Sequence, residues 1–305
     1  MEARKALDGQ AMGTMLLLCL IWGLQQVVLK AAAHDVSPLF QIALRSGIAG
    51  VLVAGLMILR GMRITARDGT LGPGVLVGFL FALEYFLVGE GLRFTSASHM
   101  VVFLYTAPIF VAIGLHWKIP AERLSPWQWA GVSLAFGGVV VTFFGPGAGD
   151  QTGSAVLWGD FLALLAGIAW AATTIAVRLS TLARAPAAQT LLYQLLVGFV
   201  LLTLASVLLG QTGFKPSPIA FGSLLFQSLI VSFASLLTWF WLLRHYLVSR
   251  LGIFSFLTPL FGVAFGVLFL DETLEIRFVI GAILVCSGIL LVSAQGWCRP
   301  QEDRR

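Results

Sequence analysis

Long apolar runs alternate along the chain with short breaks that are polar or contain glycine and proline. An α-helix needs about 20 apolar residues to cross the hydrocarbon core of a bilayer. Ten runs come close to this length, with approximate bounds 12–33, 38–60, 71–92, 97–117, 126–145, 155–179, 187–210, 219–244, 250–270 and 276–296. The pattern predicts an all-α polytopic membrane protein with ten transmembrane helices, joined by loops too short for a soluble domain.

The composition excludes several other classes of protein. Hydrophobic residues make up 58% of the 305 residues and charged residues 11%, and the mean hydropathy is +0.93. Soluble globular proteins are roughly 45–50% apolar and about 25% charged. A disordered chain and a disulfide scaffold do not fit these values. The net charge of +5 does not indicate a nucleic-acid partner, because the basic residues lie between apolar runs. The expected surroundings are a lipid bilayer.

The basic residues predict the orientation of the spans. Most of the 19 Lys and Arg residues lie in loops on the same side as the N-terminus. The opposite side holds Lys30, Arg93, Lys215 and Arg277, and Arg45 lies within a span. Cytoplasmic loops of membrane proteins carry the excess of Lys and Arg. Both termini are therefore predicted to be cytoplasmic, which requires an even number of spans.

The two halves of the chain resemble each other at an offset of about 150 residues. The pairs that this offset relates are Trp22 and Trp170, Lys30 and Arg178, Pro38 and Pro186, Gln41 and Gln189, Pro108 and Pro259, Gly131 and Gly281, and Gly138 and Gly288. Each half has five predicted spans, an odd number, so the second copy enters the membrane in the opposite direction. We predict a first five-helix repeat at 11–145 and a second, inverted one at 155–296, joined by the glycine-rich linker 145–154. Inverted repeats are common in transporters.

These features together resemble a known family. The five-plus-five arrangement, the paired tryptophans, the paired mid-span prolines and the acidic loop 271–273 are similar to the drug/metabolite transporter superfamily, and most of all to its EamA-type branch. Within that branch the chain resembles the YddG-type exporters of aromatic and other amino acids. The first repeat departs from the pattern, because Ala121 stands where the second repeat has Asp271.

The resemblance implies an exporter of amino acids and related small metabolites. Such a protein works by alternating access through a central aromatic-lined cavity, here in the cytoplasmic (inner) membrane of a bacterium with both termini cytoplasmic. The alternatives are a transporter or flippase of another metabolite or of a lipid-linked substrate, and a channel. The sequence indicates no oligomeric state.

An enzyme is not expected, and neither is a cofactor or a metal. The chain contains no phosphate-binding GxxxxGK[ST], no zinc-binding HExxH and no GxSxG nucleophile motif. Residues 147–150 match the GxGD pattern of intramembrane aspartyl proteases, but they lie in the linker. That chemistry needs two carboxylates at one site, and no second Asp is expected in the interior of a span.

The ionisable side chains expected within the spans are Arg45, Glu84 and Glu90. A charge inside a membrane is costly and faces protein or a water-filled path. Two hypotheses fit Glu84: it forms a structural ion pair with Arg45 that clamps two helices, or it faces the cavity and receives a substrate ammonium or a proton. Glu90 lies near the outer interface and is expected to pair with Lys30 or Arg93.

Polar and aromatic residues share one face in spans one and six. Trp22, Gln25 and Gln26 lie three or four residues apart on one helix face, and Trp170 with Thr174 repeats the pattern. The stripe either packs between helices or lines the cavity, where an aromatic cage suits a planar ring or an amine. The predicted substrate-binding residues are Trp22, Gln25, Gln26, Glu84, Tyr85, Tyr105, Trp170, Thr174 and Trp239.

Two prolines mark helices that are expected to bend. Pro108 and Pro259 each remove one backbone hydrogen bond, to the carbonyls of Leu104 and Ser255. In lipid such a break is tolerated only where protein or a cavity covers it. The two helices are predicted to form the gate or hinge, with simple helix irregularity as the alternative.

Overall fold

The computed structural model describes residues 8–62, 69–119, 123–144, 151–246 and 257–294. Within these ranges the elements are helices, joined by turns and by one isolated β-bridge between Val36 and Phe214. They are α1 (Gly9–Ala31), α2 (Pro38–Leu59), α3 (Leu71–Gly91), α4 (Ala97–Leu104), α5 (Ala107–Lys118), α6 (Pro126–Phe144), α7 (Gln151–Leu179), a 3-10 turn (Thr181–Ala183), α8 (Ala187–Leu208), α9 (Pro218–Leu225), a π-helix (Phe226–Ser235), α10 (Leu236–His245), α11 (Leu257–Leu270) and α12 (Ile276–Ala294). Ala121, the GxGD motif, the first part of the linker and Ser255 lie outside the described residues.

The helices have the length and composition of membrane spans. Among the described residues, the stretches long and apolar enough to cross a bilayer are Gly9–Ala31, Pro38–Leu59, Leu71–Gly91, Ala97–Lys118, Pro126–Phe144, Ser154–Leu179, Ala187–Leu208 and Pro218–Trp239. The helices α11 and α12 are also apolar but shorter. Large apolar side chains such as Leu59 and Phe144 are exposed on these helices, as expected of surfaces that face lipid. The chain is therefore a polytopic helical membrane protein.

Side-chain caps define where several helices begin. At the start of α1 the Asp8 carboxylate accepts a hydrogen bond from the Ala11 amide at 2.8 Å. Ser37 and Ser217 cap α2 and α9 in the same way, and each precedes a proline whose missing N–H is not needed in the first turn. The Ser217 hydroxyl also donates to the Asp35 carboxylate, so the same serine joins the loop after α1 to the start of α9.

The fourth predicted span is interrupted in its middle. α4 ends at Leu104, and Pro108 is the second residue of α5. Because proline has no N–H for the Leu104 carbonyl, the helix cannot continue unbroken. The Thr106 hydroxyl and amide instead donate to the Phe103 carbonyl, at 2.6 and 3.1 Å. Pro259 is the third described residue of α11, and Ser255, whose carbonyl it would leave without a donor, lies outside the described residues.

α6 and α12 cross with their backbones in contact. A Cβ atom added at Gly138 would lie 2.5 Å from the carbonyl oxygen of Gly281, and one added at Gly131 would lie 2.9 Å from that of Gly288. Only a residue without a side chain permits so close an approach. Since Gly131 faces Gly288 and Gly138 faces Gly281, the two helices run antiparallel.

Candidate functional site

A π-helix brings polar side chains into the centre of the helix bundle. It spans Phe226–Ser235 within the eighth predicted span, between α9 and α10. Gln227 and Ser228 near its start are fully buried, and so is Ser235 at its end. π-helices are rare and occur frequently at functional sites, because the wider turn re-aims side chains and loosens the backbone hydrogen bonding. The π-helix is therefore the first local irregularity that indicates a site.

Arg45 joins this π-helix to α1 and α2. Its Nη1 donates to Gln227 Oε1 at 2.5 Å, and Gln227 Nε2 donates in turn to the backbone carbonyl of Gln25 at 2.8 Å. The Arg45 guanidinium carbon lies 4.4 Å from the centre of the Tyr85 ring on α3, which is within the range of a cation–π contact. Arg45 is only 1% exposed, so this charge is held entirely by protein groups.

Several polar atoms of this region are buried without a hydrogen-bond partner among the described residues. They are Arg45 Nε, Gln26 Oε1 and Ser228 Oγ. Buried polar groups are nearly always paired, so unpaired donors and acceptors on three adjoining helices indicate a place where a polar ligand binds. We call Gln25, Gln26, Arg45, Gln227 and Ser228 the polar junction.

Glu84 lies next to the polar junction but is not directly paired with Arg45. Its residue is 6% exposed, on the same turn of α3 as Tyr85. Among the described residues, no ion pair within 4 Å joins Glu84 to Arg45. In this conformation the Arg45 guanidinium is directed at Gln227 and Tyr85, and an ion pair between Arg45 and Glu84 stays a prediction.

The predicted aromatic residues form two pairs. The rings of Trp22 and Trp239 meet edge to face with centres 5.7 Å apart, and Trp22 Nε1 donates to Ser235 Oγ at 3.0 Å. The rings of Tyr105 and Trp170 meet in the same way at 5.2 Å. Each pair joins a helix of the first half to a helix of the second half. Tyr105 also lies at the break between α4 and α5, so the break and the aromatic pair share one residue.

One predicted residue lies apart from this buried group. Thr174 is exposed, and its hydroxyl donates to the Trp170 carbonyl of its own helix at 3.1 Å. The neighbouring Thr173 is buried instead. Consecutive helical residues point about 100° apart, so a stripe read from the sequence can include the wrong one of two adjacent threonines.

Two cavities open at the end of the bundle that carries Lys30, which we call the Lys30 end. One has a volume of about 490 Å³ and is lined by Lys30, Ala33, His34, Ser37, Pro38, Leu92, Arg93 and Gln211. The other has a volume of about 380 Å³ and is lined by Lys30, Phe94, Thr95, Ser96, Leu270 and Glu272. Neither is lined by a predicted substrate-binding residue.

The acidic loop after α11 has a role at the Lys30 end that the sequence did not reveal. The Glu272 carboxylate accepts hydrogen bonds from the amides of Ala97 and Ser98, at 2.7 and 3.0 Å, and from the Ser98 hydroxyl at 2.5 Å. It thus caps the first turn of α4, where a negative charge is stabilised by the helix dipole. The predicted pairing of Glu90 with Arg93 is confirmed, at 2.7 Å.

We expect the Glu272→Gln substitution to weaken this cap. A neutral amide cannot accept from both amides and the hydroxyl with the same strength, and a lost helix cap costs about 0.5–2 kcal/mol. Thermal unfolding of the detergent-solubilised protein should show a lowered melting temperature. Asp271→Asn is the matched control: it removes a charge from the same loop, and Asn tolerates the positive φ of 51° at this position. Equal melting temperatures for the two variants would contradict the capping role.

Asp160 is a second residue absent from the sequence-based expectations, which placed no further Asp in the interior of a span. The predicted run begins at about 155, whereas α7 begins at Gln151, so Asp160 lies about 14 Å along the helix. It is fully buried and accepts hydrogen bonds from His99 and Thr95. The signal available in the sequence was an Asp flanked on both sides by apolar residues.

Buried polar and aromatic residues between apolar spans are typical of a membrane protein that handles a polar solute. The comparison with known proteins agrees with this class. The model of the EamA-like transporter family matches residues 10–144 and 157–294, and the chain belongs to that family. The family predicted from the repeats is thereby confirmed, and the protein is a membrane transporter of this family.

Individual relatives cover nearly the whole chain. It is 26% identical over 279 residues to the uncharacterized transporter YoaV of Bacillus subtilis, covering 89% of this chain and 92% of the relative. It is 28% identical over 286 residues to a probable amino-acid metabolite efflux pump of Escherichia coli, covering 90% and 92%. A protein of known crystal structure aligns with a TM-score of 0.67 and 19% identity over 94% of this chain and 98% of that one, which shows a shared fold.

Proposed function

We propose that the protein exports amino acids and related small metabolites by alternating access, with the substrate bound between the two halves at the polar junction. The observation that carries the proposal is the buried charge of Arg45, which lies against the Tyr85 ring and beside unpaired polar atoms. A relative is named as a probable amino-acid metabolite efflux pump, which supports the substrate class.

The proposed topology is ten spans in two inverted repeats, 11–145 and 155–296, with both termini in the cytoplasm of a bacterium. Helix packing supports it, because exchanging the halves leaves the main contacts unchanged. The contact of α3 with α7 corresponds to the contact of the π-helix with α1, because the π-helix is the counterpart of α3 and α1 that of α7. In the same way, the contact of α1 with α11 corresponds to the contact of α7 with α5. The equivalent helices α6 and α12 pack on each other antiparallel, as expected for copies that cross the membrane in opposite directions.

The polar junction offers complementary groups for both ends of an amino acid. Arg45 Nε is unpaired among the described residues and would receive the substrate carboxylate, since guanidinium and carboxylate form strong charge-assisted hydrogen bonds. Glu84 would receive the ammonium group. Trp22, Trp170 and Trp239 would enclose the side chain, and the break beside Pro108 would provide the movement that opens the site. Pro259 takes the corresponding place in the second repeat.

Counterflow in proteoliposomes tests this function. Vesicles containing the purified protein are preloaded with one unlabelled amino acid and then challenged with labelled threonine, methionine or phenylalanine. Saturable accumulation of label, absent from protein-free vesicles, is the expected result. A non-saturating flux would indicate a channel. No exchange with any amino acid, for protein shown to be monodisperse, would contradict the proposal and favour another metabolite or a lipid-linked substrate.

We expect Glu84→Gln to reduce exchange by at least about tenfold without unfolding the protein. The amide keeps the size of the side chain but loses the charge that pairs with a substrate ammonium, and charged hydrogen bonds contribute about 1.5–3 kcal/mol. Initial counterflow rates and melting temperatures are the measurements. Glu90→Gln, on the same helix but paired with Arg93 at the Lys30 end, is the control. Full exchange by Glu84→Gln would remove Glu84 from the site.

A further inference from the structure

A histidine and an aspartate form a buried pair away from the polar junction. His99 Nδ1 of α4 lies 2.8 Å and 3.0 Å from the two carboxylate oxygens of Asp160 on α7. His99 is 8% exposed and Asp160 is fully buried. The imidazole also stacks on the Phe278 ring of α12, with centres 3.7 Å apart and planes 9° from parallel. One face and one edge of the imidazole are thereby held by protein.

The pair connects the two halves of the protein. α4 belongs to the first half, whereas α7 and α12 belong to the second. Asp160 additionally accepts from the Thr95 hydroxyl, and the Thr95 carbonyl accepts from Lys30 Nζ at 2.8 Å. A change of charge on this pair would therefore affect the contacts among α1, α4 and α7. The same contacts must rearrange if the two halves move against each other.

The other charged groups on the neighbouring helices have hydrogen-bond or ion-pair partners of their own. Lys30 on α1 donates to backbone carbonyls, Glu90 on α3 pairs with Arg93, Glu272 after α11 caps α4, and Arg277 on α12 bonds Glu275. None of these groups bonds directly to the imidazole or to the Asp160 carboxylate among the described residues.

The pair offers one further atom to which a proton can bind. A neutral imidazole with a carboxylate carries one net negative charge, and a bound proton makes the pair net neutral. A carboxylate accepts only, so His99 Nδ1 donates to Asp160 and the additional proton binds at His99 Nε2.

A route for the proton lies beside the pair. The 380 Å³ cavity at the Lys30 end is lined by Thr95, which bonds Asp160, and by Ser96, whose hydroxyl accepts from the His99 amide at 3.1 Å. This end is the one proposed to face away from the cytoplasm. Only Thr95 and Ser96 would then separate water in the cavity from the His99–Asp160 pair.

We propose that the His99–Asp160 pair is the proton-binding site that couples export to the inward movement of protons. The inference rests on the proposed transport function. His99 takes up one proton from the outer side in the conformation open to that side, and releases it in the conformation open to the cytoplasm. Substrate moves in the opposite direction, from the cytoplasm to the outer side.

The test compares gradient-driven uptake with counterflow in the same proteoliposomes, using labelled phenylalanine or another amino acid that the wild type exchanges. With the vesicle interior one pH unit more acidic, an antiporter should accumulate label up to about tenfold when one proton is exchanged for one substrate. Asp160→Asn and His99→Gln should lose this accumulation and keep counterflow, because exchange needs no net proton movement. A pH-sensitive dye inside the vesicles should show substrate-dependent proton efflux for the wild type only.

Asp35→Asn is the matched control. Asp35 also lies beside a histidine, His34, but in an exposed loop. The hydrogen bond from Ser217, with a second from His34, holds the pKa of Asp35 below its usual range, so this carboxyl stays ionised throughout the assay. This variant should keep gradient-driven accumulation.

Three results would overturn the inference. Accumulation that persists in Asp160→Asn would exclude the pair as the coupling site. A wild type that exchanges substrate but does not respond to the pH gradient would exclude proton coupling, whether or not the variants fold. Absence of wild-type counterflow would contradict the proposed function itself, and the inference with it.

Discussion

Replacing Arg45 with alanine should reduce exchange at least about a hundredfold and lower the melting temperature of the protein. The substitution leaves Gln227 Oε1 without its donor and removes the cation beside Glu84. Removing one partner of a buried charged network costs about 3–5 kcal/mol, and each 1.4 kcal/mol corresponds to about tenfold. Counterflow rate per molecule of monodisperse protein is the measurement.

A double variant separates the two consequences of this loss. In Arg45→Ala the Glu84 carboxylate stays buried without a neighbouring cation, so adding Glu84→Gln should restore part of the melting temperature but none of the exchange. Arg93→Ala is the control, because Arg93 is half exposed and its pairing with Glu90 is worth about 0–1 kcal/mol. Near-normal exchange by Arg45→Ala, or additive effects in the double variant, would contradict the coupling of the two residues.

Replacing Gly138 with leucine should destabilise the protein severely. Even the Cβ atom would meet the Gly281 carbonyl at 2.5 Å and the Leu284 Cβ at 2.9 Å, so α6 and α12 would have to separate. Forcing extra atoms into a packed contact costs about 1–3 kcal/mol or more, which corresponds to roughly 10 °C in melting temperature at the upper end. Size-exclusion chromatography after heating measures the loss.

The adjacent glycine supplies the control for this prediction. A Cβ atom at Gly137 would have no heavy atom within 4 Å, and replacing a partly exposed helical glycine improves helix propensity. Gly137→Leu should therefore match the wild type or exceed its melting temperature. Equal losses in Gly137→Leu and Gly138→Leu would show that the crossing of α6 and α12 does not depend on the absence of a side chain.

Hydropathy was sufficient to predict the helical membrane architecture, and the family follows from the repeated residues. Burial of Gln25, Arg45 and Glu84 was also predictable, since polar groups within a span face protein. The π-helix was not, because a shift from i+4 to i+5 hydrogen bonding leaves the apolar content of a span unchanged. Gln227 consequently had no role in the predictions, although it is the group that Arg45 binds.

Which side chains contact each other across helices was the other feature that the sequence did not predict. One of the two hypotheses for Glu84 was that it bonds to Arg45, because both lie at similar depth in neighbouring spans. Whether they do depends on the rotation of each helix about its own axis, and a rotation of one residue is enough to redirect a side chain. The same limitation explains Thr174, which is exposed beside the buried Thr173.

The glycine crossing of α6 and α12 also determines which parts of the molecule can move. Where long side chains interdigitate, helices can slide by changing rotamers, but Gly131, Gly138, Gly281 and Gly288 have none to change. The two backbones touch at both ends of the contact, so any tilt of one helix must carry the other with it. We therefore expect this pair to act as a rigid pivot, with the proposed opening and closing confined to the helices that turn around it.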